Sequence, residues 1–196
     1  MIEYEKKILL SALEYKILMV HFDIFQPSIK QINYYYDTPD FDMNRQGITC
    51  RLRYKDGRYR ATLKAHADST RDESLEIIIP NSVDITHNGF VDMGLQYHGC
   101  LTTERFLLTQ MKGCEAVLDK NEYLGMVDYE LEVEYLDGHE KSAGDILNYI
   151  IEIIIENIKE NSMEDLVERT KKSKSKSQRF FERLSNYYNT SLVFLL

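Results

Sequence analysis

Apolar and polar residues alternate with period two along much of the first 135 positions, and they recur at helical spacing in the last third of the chain. The first reading predicts strands at Ile2–Leu10, Ile29–Asp37, Gly47–Tyr54, Arg58–Ala65, Glu73–Ile79, Leu101–Gln110, Cys114–Asp119 and Val127–Tyr135. Asp56-Gly57 between two such runs is a strong hairpin signal, because both central positions of that turn require a positive φ. Ser11 and Glu14 have the spacing of a capping box, so a helix is expected from Ala12 to about Phe25, ending before Pro27. Ser142–Lys159 reads as a long helix with Ile146, Leu147, Ile150, Ile151 and Ile154 on one side. Further helices are expected from Met163 and over Arg179–Tyr188, and Asn81–Leu95 as loop with a short helix. Hairpin spacing makes the sheet mainly antiparallel, and eight strands suffice to close a barrel.

Strand alternation also assigns each charge to a face. Glu3, Glu5 and Lys7 share one face of the first strand. A two-residue loop at Asp56-Gly57 sets Arg53 opposite Arg60 and Thr49 opposite Lys64, so Arg51, Arg53, Arg60 and Lys64 share a face. Glu130, Glu132 and Glu134 share a face of the last strand. Like charges side by side destabilise a sheet unless something offsets them. Two acidic strands suit a hard divalent cation, and a cluster of arginine and lysine suits phosphate. Mg²⁺ beside phosphate combines the two.

Composition narrows the classes. The 196 residues are 43% hydrophobic and 29% charged, enough for one domain with a core. The net charge of −8 argues against a long nucleic-acid partner. No apolar run is long enough to span a membrane, and charges begin at once, so neither a membrane partner nor a signal peptide is expected. Cys50, Cys100 and Cys114 lack CxxC spacing and fit a reducing, cytoplasmic setting. The five histidines show no metal-ligand spacing, Cys50 is expected in the core, and Tyr34, Tyr35 and Tyr36 are expected to pack. Of the basic run Lys171–Lys176, only Lys176 is expected to reach a site.

Glu3-Tyr4-Glu5-Lys6-Lys7 resembles the E-x-E-x-K strand that marks the CYTH family of triphosphate tunnel metalloenzymes. Further motifs follow in the family's order: Tyr36-Asp37-Thr38-Pro39, Arg51-Leu52-Arg53, Thr62-Leu63-Lys64, Thr103-Glu104-Arg105, Asp119 with Glu130-Leu131-Glu132, and Ser175-Lys176 with Arg179-Phe180. The resemblance spans residues 2 to about 181 and is nearest to the small bacterial branch. It implies an α+β fold, an eight-stranded antiparallel tunnel with a charged lumen and helices outside. One CYTH-like domain over 1–190 is expected, with a tail at 191–196.

The resemblance further implies that Glu3, Glu5, Asp119, Glu130 and Glu132 hold one or two Mg²⁺ or Mn²⁺ ions. It assigns phosphate to Lys7, Arg51, Arg53, Lys64, Arg105 and Lys176, with Arg60 added by its face alone. Glu3, Glu5, Lys7, Glu130 and Glu132 then form the catalytic set. Glu73 and Glu76 compete for one lumenal place. Arg105 and Asp119 fall on the same face only if a residue is inserted, and a three-residue loop ending at Gly113 is expected to supply it. The implied reaction is metal-dependent hydrolysis of inorganic, nucleoside or thiamine triphosphate. Adenylate cyclase, RNA 5′-triphosphatase and non-catalytic polyphosphate or nucleotide sensing are the alternatives. Monomer and homodimer both stay open.

Overall fold

The computed structural model describes residues 2–27, 29–66, 73–78, 87–111, 113–159 and 162–193, with side chains excepted at 2–3, 66, 73–78, 87–89 and 189–193. Eight strands form a closed antiparallel barrel in the order β1 (Ile2–Leu10), β5 (Glu73–Ile78), β4 (Arg58–His66), β3 (Ile48–Lys55), β2 (Ile29–Asp37), β6 (Gln96–Met111), β7 (Cys114–Tyr123) and β8 (Met126–Tyr135). Closure leaves no open sheet edge. It also gives every strand one face toward an enclosed lumen and one toward covering helices.

The β3–β4 hairpin has the expected two-residue turn. Lys55 pairs with Arg58, and Asp56 and Gly57 both have positive φ, 50° and 74°. The β6–β7 hairpin departs from expectation. Met111 pairs with Cys114, so that turn also holds two residues, of which Lys112 lies outside the described ones. The inserted residue is Leu108, bulged between Leu107 and Thr109. The bulge restores the parity that sets Arg105 opposite Asp119, and it lets Leu108 join the apolar layer outside the barrel.

That layer covers the outer faces of β1, β6, β7 and β8. It contains Ile8, Leu118, Leu131 and Val133 from the strands and Leu147, Ile150, Ile151 and Ile154 from α4 (Glu140–Asn157). Helices α1 (Ala12–His21) and α5 (Met163–Lys171) complete it with Leu18 and Leu166. Opposite, Tyr36, Cys50, Leu52 and Ala61 pack on Phe90 of α3 (His87–Asp92). Residues 81–86 of the expected loop lie outside the described ones. The short α2 (Asp42–Arg45) is held by the buried Asp37 carboxylate, which accepts from the amides of Met43 and Asn44, both at 2.9 Å.

Several boundaries move. Helix α1 stops at His21, because Asp23 turns left-handed at φ 52° and Ile24 N–H returns to the Met19 carbonyl. β6 and β7 are longer than the sequence suggested. Helix α6 runs from Lys176 to Val193, beyond both ends of the expected 179–188, and residues 194–196 lie outside the described ones. Unlike the other helices, α6 closes one end of the barrel. Phe180, Phe181 and Leu184 pack on Tyr35, Leu101 and Tyr123, residues in phase with the lumenal faces of β2, β6 and β7.

Gly99 makes that docking possible. The β2–β6 register slips beside it, its φ is 138°, and an added Cβ would lie 2.9 Å from the Phe180 ring. Gly99→Ala should therefore lower stability by about 1–3 kcal/mol, as strained positions do, measured by urea unfolding. Loss below ~0.5 kcal/mol would show that α6 is not seated on Gly99.

The capping box at α1 is present. Ser11 Oγ accepts from Glu14 N–H at 3.2 Å, and Glu14 accepts from Ser11 N–H at 2.6 Å. Arg169 of α5 donates to both Glu14 oxygens, at 2.8 and 2.9 Å. Burial raises the Glu14 pKa, but the bonds from Arg169 and Ser11 more than reverse this and bring it to about 2. A depressed folded pKa stabilises above the unfolded value, and the benefit fades as pH falls toward the folded one. Glu14→Gln should thus cost about 1.5–3 kcal/mol at pH 7. Its deficit should shrink as unfolding is followed from pH 4.5 down to 2. A deficit independent of pH would show that the charge is not what matters.

Candidate functional site

The lumen holds a cavity of about 210 Å³. Its basic wall comes from β3 and β4. Arg51 Nε donates to Thr62 Oγ1 at 3.0 Å and Arg53 Nε to Asn33 Oδ1 at 2.8 Å, which orients each guanidinium. Lys55 and Lys64 line the same wall. Opposite lie β7 and β8 with Glu115, Glu132 and Glu134. β1 joins the walls with both signs, since Glu5 and Lys7 are directly hydrogen-bonded.

Of the residues expected in the site, Glu5, Lys7, Arg51, Arg53, Lys64, Arg105, Glu132 and Lys176 line the cavity. Asp119 and Glu130 are fully buried behind it. Arg60 does pair with Arg53, but it is exposed and does not line the cavity. Glu3 pairs with Ser74 through the backbone; its side chain lies outside the described residues. Register separates the two remaining glutamates: Glu76 is opposite Lys64, and Glu73 is opposite Tyr4. The lumenal parity therefore belongs to position 76.

The acidic wall is neutralised from within. Arg105 bonds Asp119 in bidentate fashion, at 2.9 and 2.8 Å, and also contacts Glu132 and Glu134. Lys176 Nζ stands 3.0 Å from Asp119, 2.8 Å from Glu130 and 2.5 Å from Glu132. Arg179 reaches Asp128 at 2.9 Å and Glu130 at 2.8 Å. The sequence reading gave no role to Arg179, Asp128 or Glu134. The signal for the two acids was present, because both share parity with Glu130 and Glu132.

The start of α6 is also pinned. Ser175 Oγ accepts from Gln178 N–H at 3.2 Å, and the Gln178 side chain accepts from Ser175 N–H at 2.8 Å. Thr49 Oγ1 donates to Ser177 Oγ at 2.9 Å, which ties the helix to β3. Lys171, Lys172 and Lys174 of the basic run point to solvent, whereas Lys176 is 14% exposed and inside.

These contacts set the charge states. Burial would raise the Glu5 pKa, but Lys7 and Lys64 pull it to about 2. Glu132 is likewise disfavoured as an anion by burial, and Lys176, Arg105 and Lys7 hold it well below the usual range. For Lys176, burial disfavours the ammonium, and Glu130, Glu132 and Asp119 reverse the effect and raise its pKa.

The donors match a hard divalent cation in kind, being carboxylate oxygens that accept a lysine ammonium as stand-in. Their spacing suits the ammonium. Mg²⁺ takes oxygens at about 2.0–2.1 Å, closer than the 2.5–3.0 Å seen around Lys176. Among the described residues no group of three or more His, Cys, Asp or Glu could hold a metal ion as it stands. No helix among them is long and apolar enough to cross a membrane.

Comparison with known proteins fits this architecture. The chain matches the CYTH domain over residues 1–181. It is 33% identical over 153 residues to "Putative triphosphatase YjbK" of Bacillus subtilis (strain 168), covering 71% of this chain and 80% of that protein. A "putative adenylate cyclase" crystal structure from Bacillus halodurans superposes with TM-score 0.63 at 23% identity, over 91% of this chain and 97% of that one. A "putative adenylyl cyclase" from Hippeastrum, HpAC1, described as revealing a dominant triphosphatase activity, gives 0.57 at 20% identity over 78% and 87%. The two structural likenesses concern the fold. The extent of the domain match, with the identity to the Bacillus subtilis relative, makes this chain a member of the CYTH family.

Proposed function

We propose that this protein hydrolyses the phosphoric anhydride of a triphosphate with the help of Mg²⁺ or Mn²⁺, in the cytoplasm that its three free cysteines suit. One observation carries the reading. Lys7 of β1, Arg51 and Arg53 of β3, Lys64 of β4, Arg105 of β6 and Lys176 of α6 converge on one cavity that also contains Glu5 and Glu132. Cationic groups from five elements, enclosed and fixed by hydrogen bonds, suit a compact polyanion. At about 210 Å³ the cavity falls below the ~300–1,000 Å³ of sites for drug-sized ligands. A phosphate chain fits that space, and any organic group attached to it would extend through the open end.

In this reading the basic wall holds the chain in line and offsets charge developing on the oxygens, which is most of what phosphoryl transfer requires. Glu3, Glu5, Asp119, Glu130 and Glu132 are the oxygen donors for the divalent cation. When bound, the cation supplies neutralisation of phosphate oxygens and polarisation of the phosphorus toward water. Water attacks the terminal phosphorus, the bridging P–O bond breaks, and orthophosphate leaves with diphosphate or its ester. Lys7 and Lys64 hold Glu5 in its charged form near pH 7. The part of Glu5 is to orient water and offset charge.

The name of the Bacillus subtilis relative, which refers to a triphosphatase, supports the same reaction class. Phosphate release from inorganic triphosphate, ATP and thiamine triphosphate, with Mg²⁺ or Mn²⁺ and with cyclic AMP assayed in parallel, tests the reading. Arg53→Ala should raise KM about 10-fold or more, corresponding to a lost charged hydrogen bond of about 1.5–3 kcal/mol. Glu5→Gln with Glu132→Gln should reduce kcat by at least ~100-fold, the scale of a lost charge-stabilising group. No phosphate release from any substrate, or cyclic AMP as the product, would overturn the proposal.

A further inference from the structure

Lys176 occupies an unusual place. It begins α6, lines the cavity, and yet turns its ammonium into the acidic wall, within 3.0 Å of Asp119, Glu130 and Glu132 together. Those three carboxylates belong to the oxygen set assigned above to the divalent cation. Two cations cannot share the centre of one carboxylate trio at these distances, because their mutual repulsion in a buried site is several-fold stronger than in water.

We propose that Lys176 is a resident counter-cation that competes with the divalent metal for Asp119, Glu130 and Glu132, so that metal entry and release of Lys176 into the cavity are one exchange. The inference rests on the functional reading only in taking these residues as metal donors. The remaining neutralisation is arranged to allow it. Asp119 keeps Arg105 through two hydrogen bonds, and Glu130 keeps Arg179. Glu132 keeps Arg105 and reaches the cavity. Helix α6 stays anchored without Lys176, through Arg179 on Asp128, the Thr49–Ser177 bond and the Phe180 packing. Only the lysine side chain has to move, and Ser175 and Ser177 flank it on the cavity wall. Once displaced, its ammonium joins the basic side of the lumen. The protein thus couples cation loading of the acidic wall to an added positive charge facing the anion site.

Mn²⁺ titration of the full-length protein without substrate, by calorimetry or by the free-Mn²⁺ resonance signal, tests this apart from catalysis. Lys176→Met should bind Mn²⁺ at least 10-fold more tightly than wild type, and Lys176→Arg should stay within about 3-fold of it. Adding Asp119→Asn to Lys176→Met should remove the gain. Equal affinity in wild type and Lys176→Met, no binding by either, or a gain that survives Asp119→Asn would each overturn the proposal. If Lys176→Met does not fold, the Lys176 ammonium resonance of ¹⁵N-labelled wild type replaces it. Mg²⁺ should shift that resonance, and its constancy while calorimetry shows Mg²⁺ bound would overturn the exchange. A wild type that releases no phosphate from any triphosphate would fail the functional reading and leave these outcomes unaffected.

Discussion

The structure depends on neutralising carboxylates that the barrel forces into one enclosed space. Strand alternation turns Asp128, Glu130, Glu132 and Glu134 to the same side, and β7 adds Asp119 directly opposite Glu130. Four in-phase acids on one strand, beside another on its neighbour, would not close over a dry interior on their own. Three cations answer them: Arg105 from β6, and Lys176 and Arg179 from α6. Two of the three arrive on a helix almost the whole chain away from β1. The barrel and its terminal helix are therefore electrostatically interdependent. A buried ion pair adds little net stability against an apolar alternative, but losing one partner leaves a charge stranded.

The same logic separates the lumen into two regimes. Asp119 and Glu130 are fully buried and each has cationic partners, as in a structural salt-bridge cluster. Around Arg51, Arg53, Lys55 and Lys64 the positive side chains outnumber the acids facing the cavity from their own strands. Glu5 and Lys7 sit at the seam, where β1 meets β8 on one side and β5 on the other. In the proposed function a polyanion is recognised at the basic wall and a cation at the acidic one. Lys176 is placed to belong to either.

Much of this was legible in the sequence, and the physical reason differs by feature. The period-two faces of β1, β3, β4 and β8 depend on local geometry alone, so the lumenal parity of Glu5, Arg53, Lys64 and Glu132 could be counted. The β3–β4 turn followed from the positive φ that Asp56 and Gly57 accommodate. The bulge at Leu108 did not follow, because a strand can absorb an extra residue anywhere its outer face finds packing. Helix α6 is longer than the 179–188 that the sequence predicts, and it is a plug where an outer cover is expected. Its apolar side meets residues of the lumenal parity, Tyr35, Leu101 and Tyr123, which interrupt the polar face at one end as Ile29 and Val117 do elsewhere. Those three interruptions were the available sign of a plug, but a lone apolar residue on a polar face is a weak one. Arg179 stands in the last matched motif without a role, since the tertiary fold and not local spacing brings it to Asp128 and Glu130.

The charge of the whole molecule sharpens the argument for exchange. With a net charge of −8, the outer field opposes approach of a triphosphate, although over distances limited by a screening length of about 8 Å at physiological salt. Attraction must therefore be local, and it is concentrated where low-dielectric walls strengthen it. In the proposed function, a substrate arriving with a divalent cation would carry less negative charge past the acidic exterior and meet a partner for each component inside the barrel. If the cation takes the acidic trio, Lys176 becomes available to the phosphate, so one entry event rearranges both halves of the lumen. Asp119 holds Arg105 and Glu130 holds Arg179 whether or not a cation binds, whereas a barrel built only for stability would have no use for the basic wall. Lys176 lies between the basic wall of the cavity and the acids buried behind it, and the proposed exchange of cations accounts for that position.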